Sequence, residues 1–170
     1  MVEKKKDANK AKVAREISKI WGGLESDQIA TLKEHVEITK YKKGEMIYQC
    51  DETPTDAMCL LTGKVKIFKD GINGKSQIIR VIKPNEFFGF RAYVANEIYK
   101  TAAQALDTCT VVHFPLPVLM KLLQKSYKIG YYFIKYLSVE IGKSDDRTVN
   151  LTQKHIRARL AEALLFLHDS

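Results

Sequence analysis

The chain has no apolar run near the roughly 18 residues that would cross a bilayer, so no membrane partner is expected. It shows no secretory leader either, because Met1 to Lys12 is lysine-rich and holds no apolar block. Cysteine is sparse. Cys50, Cys59 and Cys109 make an odd count with no paired spacing, which excludes a disulfide framework and suits a reducing, cytoplasmic setting. Three scattered thiols also fall short of the roughly four that hold an iron–sulfur cluster. The strand-rich middle of the chain holds one histidine, His113, while His35, His155 and His168 lie outside it. A metal-dependent barrel enzyme needs more ligands than that. No nucleophile–base pair or phosphate loop is present, so an enzyme is not expected. Acidic residues are in deficit, 20 against 28 basic ones, for a formal net charge of +8. That balance suits a nucleic-acid partner, although lysine-rich surfaces are common.

What is present is a globular composition. Hydrophobic content is 45% and charged content 28% over 170 residues, which fits one domain, or one domain and a fragment of a second. Lys4-Lys5-Lys6 and Lys10-Ala11-Lys12 read as a basic, solvated leader. Val13, Ile17, Ile20 and Trp21 then fall at helical spacing and stop at Gly22-Gly23. Ser26 reads as the cap of a second helix with Ile29 and Leu32 inward. Trp21, the one tryptophan, is expected to fill a groove against the main domain.

After His35 the period changes to two. Val36 to Tyr41, Met46 to Tyr48, Ala57 to Leu61, Lys64 to Phe68, Ile78 to Ile82, Thr101 to Leu106 and Cys109 to Phe114 read as strands. Turns fall at Lys42 to Glu45, Thr62-Gly63, Asp70 to Gly74 and Lys83 to Glu86. The Asp70 to Gly74 turn is a strong hairpin signal, since Gly and Asn accept positive φ. About eight short strands with turns every 8 to 12 residues mean an antiparallel sandwich or barrel. Cys59 is expected in its core, and Cys50, beside a loop, is a candidate reactive thiol.

Pro115 and Pro117 end the strands, Val118 to Leu123 is a short helix, and a long helix follows from Gln124 to Arg147. Its apolar residues Ile129, Tyr132, Phe133, Tyr136 and Leu137, then Val139 or Ile141, recur in steps of three and four. Tyr131 and Ile134 widen the stripe beyond one face. A helix apolar nearly all round touches something on both sides. One side is its own domain, and the other is most simply a partner subunit. The expected homodimer interface is Ile129, Tyr132, Phe133, Tyr136, Leu137, Glu140 and Ile141; an ordinary core helix of a monomer is the alternative. Near Asn150 to Gln153, Thr152 reads as the cap of a new helix, Ile156 to Leu167, apolar on one face and followed by nothing. That is the expected start of a truncated second domain. The expected divisions are thus 1–123, 124–150 and 151–170.

Several stretches, taken in order, resemble the Crp/Fnr family of bacterial transcription regulators. They are Lys43-Gly44-Glu45-Met46-Ile47-Tyr48, Met58 to Ile67, Asn85-Glu86-Phe87-Phe88-Gly89, Thr101 to Leu106, and Arg159-Leu160-Ala161-Glu162-Ala163-Leu164-Leu165. Together they cover about 27 to 167. The resemblance implies a mixed β and α fold: an antiparallel β-roll of the jelly-roll, cyclic-nucleotide-binding type, with N-terminal helices before it and a long C-terminal dimerisation helix after it. It also implies a winged helix-turn-helix, of which only the first helix would be present, and DNA and RNA polymerase as partners. In such regulators an effector binds between roll and dimer helix and biases the spacing of two recognition helices.

The nucleotide-binding members of that family hold the ribose with a Gly-Glu pair, the phosphate with an Arg-Ser pair, and the base with polar residues late in the dimer helix. Carried over residue by residue, the Gly is Gly89 but the Glu is Phe90. The Arg-Ser pair falls on Tyr99-Lys100, or on Lys100-Thr101 with a one-residue shift, and the base pair falls near Ser144-Asp145. Lys100 supplies charge but not the guanidinium fork. Losing that fork and the ribose carboxylate removes about 1.5–3 kcal/mol each, on the order of 100-fold in affinity together. No tight cAMP or cGMP binding is therefore expected. Arg91, in the same loop, is a candidate anion grip. Haem is the alternative cofactor, since some family members that answer nitric oxide bind it. His113, Met58, Met120, His155 and His168 are its candidate ligands, and Tyr127, Tyr131, Tyr132, Tyr136 and Phe133 would make an apolar pocket.

Overall fold

The computed structural model describes residues 2–71, 74–153, 161, 164 and 165. They fall into two compact units, Met1–Ser126 and Tyr127–Ser170. The first opens with α1 (Val2–Ile20) and α2 (Ser26–His35), which pack on each other. Eight strands follow: β1 (Glu37–Tyr41), β2 (Met46–Tyr48), β3 (Asp56–Thr62), β4 (Val65–Asp70), β5 (Ser76–Ile82), β6 (Phe87–Phe88), β7 (Ala102–Ala105) and β8 (Cys109–Pro115). A short helix, α3 (Phe90–Val94), stands between β6 and β7, and α4 (Leu116–Lys125) follows β8.

The strands form two four-stranded sheets in the orders β1-β8-β3-β6 and β2-β7-β4-β5, with every pairing antiparallel. Side chains alternate across each strand, and β6 shows what that does. Phe88 joins Met58, Leu60, Cys109 and Val111 in the core of the roll. Its neighbour Phe87 points the other way and meets Trp21, with ring centroids 5.5 Å apart. Trp21 also packs on Phe114 at 6.0 Å and is 1% exposed. The helices thus roof one sheet through Trp21, as its sequence position led us to expect. A buried ring of this kind hides about 150–250 Å².

Several boundaries differ from the sequence reading, each for a local reason. The basic leader is helical, since α1 already begins at Val2. Ser26 is the first helical residue of α2 rather than its cap. Glu25 takes the cap position, and its N–H donates to Gln28 Oε1 at 3.1 Å, one half of a capping box. Strand β6 and helix α3 were not foreseen. Pro115 closes β8, and Pro117 sits in the first turn of α4, where a missing N–H costs nothing. Ser126, in extended conformation, separates α4 from the long helix.

The second unit contains α5 (Tyr127–Gln153). It begins at Tyr127 rather than Gln124, and Thr152 lies within it rather than capping a new helix; the residues just after Gln153 lie outside the described ones. The expected helix from Ile156 to Leu167 lies outside the described residues apart from Ala161, Leu164 and Leu165, which are helical; His155 and His168 lie outside them too. Among the described residues no helix is long and apolar enough to cross a membrane.

Candidate functional site

The turn after β5 places the first site residues. Glu86 Oε2 accepts from Lys83 N at 3.0 Å and from Arg80 Nη2 at 3.2 Å. The chain then crosses β6 and reaches Gly89, at φ +82°. A Cβ added there would stand 2.8 Å from Met58 Cε, 3.2 Å from the Asp56 carbonyl oxygen and 3.3 Å from the Tyr99 hydroxyl. Glycine is needed twice over, for the left-handed backbone and for that close approach. Phe90, in the place of the family's carboxylate, is 4% exposed. Arg91 is exposed, and its Nη1 lies 3.6 Å from Glu97 Oε2, a screened surface pair.

Tyr99 is held from behind. Its carbonyl accepts from Asp51 N at 2.8 Å and from the Cys50 thiol at 3.5 Å, and its N–H donates to the Glu52 carbonyl at 3.0 Å. Its ring stacks on Tyr48, centroids 3.9 Å apart and planes 18° off parallel. Both residues are buried, and the Tyr99 hydroxyl has no hydrogen-bond partner among the described atoms. Burial pushes the Tyr99 phenol up, with Tyr48, Asp56 and Glu52 adding to the effect. Burial also raises Tyr48, opposed by a hydrogen bond from Thr101 and the charges of Arg91 and Arg80. Both phenols therefore stay neutral at neutral pH. Lys100 is exposed and Thr101 half-buried.

The structure thus brings Gly89, Tyr99 and Met58 into contact and adds Tyr48, which the sequence reading missed. Tyr48 lies on β2, and no local pattern ties it to Tyr99. Ser144 and Asp145 belong to the other compact unit, exposed on α5.

His113 sits on β8, directly across from Glu37 on β1 and Met58 on β3. Its Nε2 lies 3.1 Å from the Tyr41 hydroxyl. Burial pulls its pKa below the ordinary histidine value, with Asp56 and Glu37 opposing. Cys59 is fully buried and its thiol is pushed up to about 12 by that burial, whereas Cys50 is exposed. Among the described residues no group of three or more His, Cys, Asp or Glu is placed to hold a metal ion.

On α5, Ile129 and Phe133 are buried, Tyr132, Tyr136, Leu137 and Glu140 half-buried, and Ile141 exposed. Tyr132 meets Phe133 edge-on at 5.4 Å and stacks on Tyr136 at 6.1 Å. The large apolar residues left in the open include Tyr127, Tyr131, Ile134 and Ile141. Their spacing of four, three and seven is that of one helix face.

The first unit is thus an antiparallel roll of two four-stranded sheets, with a glycine turn and short helix between its sixth and seventh strands. Residues 38–126 match the family model described as the cyclic nucleotide-binding domain, and the chain belongs to that family. It is 25% identical over 147 residues to the regulatory protein HlyX of Actinobacillus pleuropneumoniae, covering 86% of this chain and 60% of that one. It is 26% identical over 126 residues to the transcriptional activator protein FnrA of Stutzerimonas stutzeri, covering 74% and 51%. These relatives are Crp/Fnr-type regulators, and the chain spans little more than half their length. The sensor domain of the transcriptional regulator DNR from Pseudomonas aeruginosa shares the fold, with a TM-score of 0.65 at 18% identity, covering 80% of this chain and 93% of that one.

Proposed function

We propose that this chain is the effector-sensing and dimerising part of a cytoplasmic Crp/Fnr-type transcription regulator, and that its roll holds no cyclic nucleotide tightly. DNA would be read by a helix-turn-helix domain C-terminal to α5, with RNA polymerase as a further partner. One observation carries the effector reading: Phe90 is buried where nucleotide-binding members place the ribose carboxylate, and Tyr99 is buried where the phosphate arginine falls in the unshifted register, Lys100 taking that place in the shifted one. The Phe90 ring offers a ribose nothing in place of a carboxylate, and the neutral Tyr99 phenol offers a phosphodiester a single uncharged donor in place of a guanidinium fork. Calorimetry with cAMP and cGMP tests it. No heat of binding below about 100 μM is expected, and submicromolar affinity for either would overturn it. The regulator reading is tested on the full-length protein, which should bind some duplex sequences far more tightly than random ones, and only as a dimer.

A haem-based sensor is the second reading, supported by His113. Burial keeps that imidazole neutral, the form that ligates iron. Met58 lies across the strand pair on the same face of the sheet, so the two residues do not present opposite axial positions. Titration with haemin decides: a Soret shift that vanishes in His113→Ala supports this reading, and an unshifted spectrum removes it.

A further inference from the structure

Helix α1 has two halves of different character. From Val13 onward it has a face to bury. Val13, Ala14, Ile17 and Ser18 are buried there, and the Ser18 hydroxyl accepts from Leu24 N at 2.8 Å. Before that, positions 2–12 read Val-Glu-Lys-Lys-Lys-Asp-Ala-Asn-Lys-Ala-Lys. After Val2 nothing larger than alanine is apolar, and no helical phase gives an apolar stripe. The backbone is nonetheless helical from Val2.

Such a segment has no packed face to hold it as helix. Three turns without packing are marginal in water, and a helix polar all round needs favourable charge pairs to compensate. Here the pairs are mixed: Glu3–Lys6, Lys4–Asp7 and Asp7–Lys10 are opposite charges three residues apart, whereas Glu3–Asp7 and Lys6–Lys10 are like charges four apart, and lysine is in excess. Helix α1 carries seven basic and three acidic side chains, a net of +4, half of the chain's +8. What would relieve it is opposite charge supplied from outside.

We propose that the first three turns of α1 form a sequence-independent contact for the phosphate backbone of double-stranded nucleic acid. Five lysines in eleven residues are compact point charges without the guanidinium fork. They suit phosphate contacts, which position a protein, rather than base edges, which specify sequence. An anionic membrane surface is the competing polyanion. It takes helices with a broad apolar face, and positions 2–12 have none. Lys12 and Arg15 are exposed and extend the cationic side into the packed half, while Lys19 is engaged by Glu16 at 3.0 Å. This binding role goes beyond the regulator reading, because it falls to the roll's own leading helix and needs no sequence-reading domain.

The test is fluorescence anisotropy of a random-sequence duplex of about 30 base pairs, titrated with the 170-residue chain between 50 and 200 mM salt. The comparison is a variant with Lys4, Lys5, Lys6, Lys10 and Lys12 all changed to Gln. The natural chain should bind at micromolar concentration in low salt. The variant should bind at least tenfold more weakly, and its log affinity should fall less steeply with log salt by about four, near 0.9 for each phosphate that is no longer neutralised. Restoring charge with five arginines should restore both, which separates the effect of charge from a failure to fold. Equal affinity and slope in the natural and Gln chains would overturn the proposal. So would a chain that ignores the duplex but binds phosphatidylserine vesicles. Because the duplex is random, failure here leaves sequence-selective binding under the regulator reading untouched.

Discussion

Tyr48 and Tyr99 lie ring on ring, 3.9 Å between centroids, and leave the Tyr99 hydroxyl buried beside Gly89 without an acceptor. A stacked pair adds about 0.5–1.5 kcal/mol beyond its buried area, whereas an unmet buried hydroxyl costs about 1–3 kcal/mol. Tyr99→Phe keeps the first and removes the second. It should raise stability by about 1 kcal/mol in urea unfolding. Tyr99→Ala loses the stack and opens a cavity, and should cost about 3–5 kcal/mol. A Phe variant less stable than the natural protein would mean that the hydroxyl does have a partner.

Gly89→Ala should be among the most damaging single-methyl changes in the roll. The φ of +82° is unfavourable for any L side chain, at about 1–2 kcal/mol. The new methyl would also press on Met58 Cε at 2.8 Å and the Asp56 carbonyl at 3.2 Å, and overpacking costs about 1–3 kcal/mol. The expected loss is about 2–4 kcal/mol by urea titration. Gly22→Ala, with a similar φ but open space around it, should lose only the first part.

Acid should weaken the roll through His113. Its folded pKa lies below the unfolded value near 6.5, so the unfolded chain takes up the proton first. The stability from keeping the ring neutral is complete above about pH 6.5 and drains away as the pH falls toward the folded pKa. Tyr41, Glu37 and Asp56 are the groups around it. His113→Gln should flatten the slope of unfolding free energy below about pH 6.5. An unchanged slope would place the titrating group elsewhere.

The proposed dimer is tested apart from folding at the exposed face of α5. Ile134→Glu with Ile141→Glu should leave the unfolding midpoint of an isolated subunit nearly unchanged, since both side chains are exposed. It should reduce sedimentation at micromolar concentration to a 19.4 kDa particle. Ile129→Ala, at a fully buried position, should instead cost about 2–5 kcal/mol of stability. If the double variant remains dimeric, the subunits meet through another surface.

The parts of this fold that were legible in the sequence are those set by local rules. Alternation marked seven of the eight strands, and Gly44 and Gly63 fell in turns with φ near +85°. Trp21 stood where an amphipathic helix met its stop, and it does fill a groove. The parts that were not legible depend on distant chain. Two residues, Phe87 and Phe88, cannot display a period, and β6 exists because β3 lies beside them. Tyr99 was a ligand-facing candidate because the family's phosphate-binding pair, carried over, falls on Tyr99-Lys100. It is buried against Tyr48, and residues 50–52, continuing from β2 beside β7 in the same sheet, hold its backbone. On α5 the three–four spacing fits several overlapping stripes equally well, and only burial tells Ile129 and Phe133 from Tyr131 and Ile134.

The pairing of β1 with β8, from Glu37 opposite His113 to Tyr41 opposite Cys109, has a consequence for how the protein is made. The first strand to leave the ribosome is completed by the last. Until Pro115 emerges, the nascent roll carries a bare hydrogen-bonding edge, with the two leading helices already free to dock on each other. That sheet therefore cannot be completed piecemeal during synthesis: β1 waits unpaired until β8 has been made.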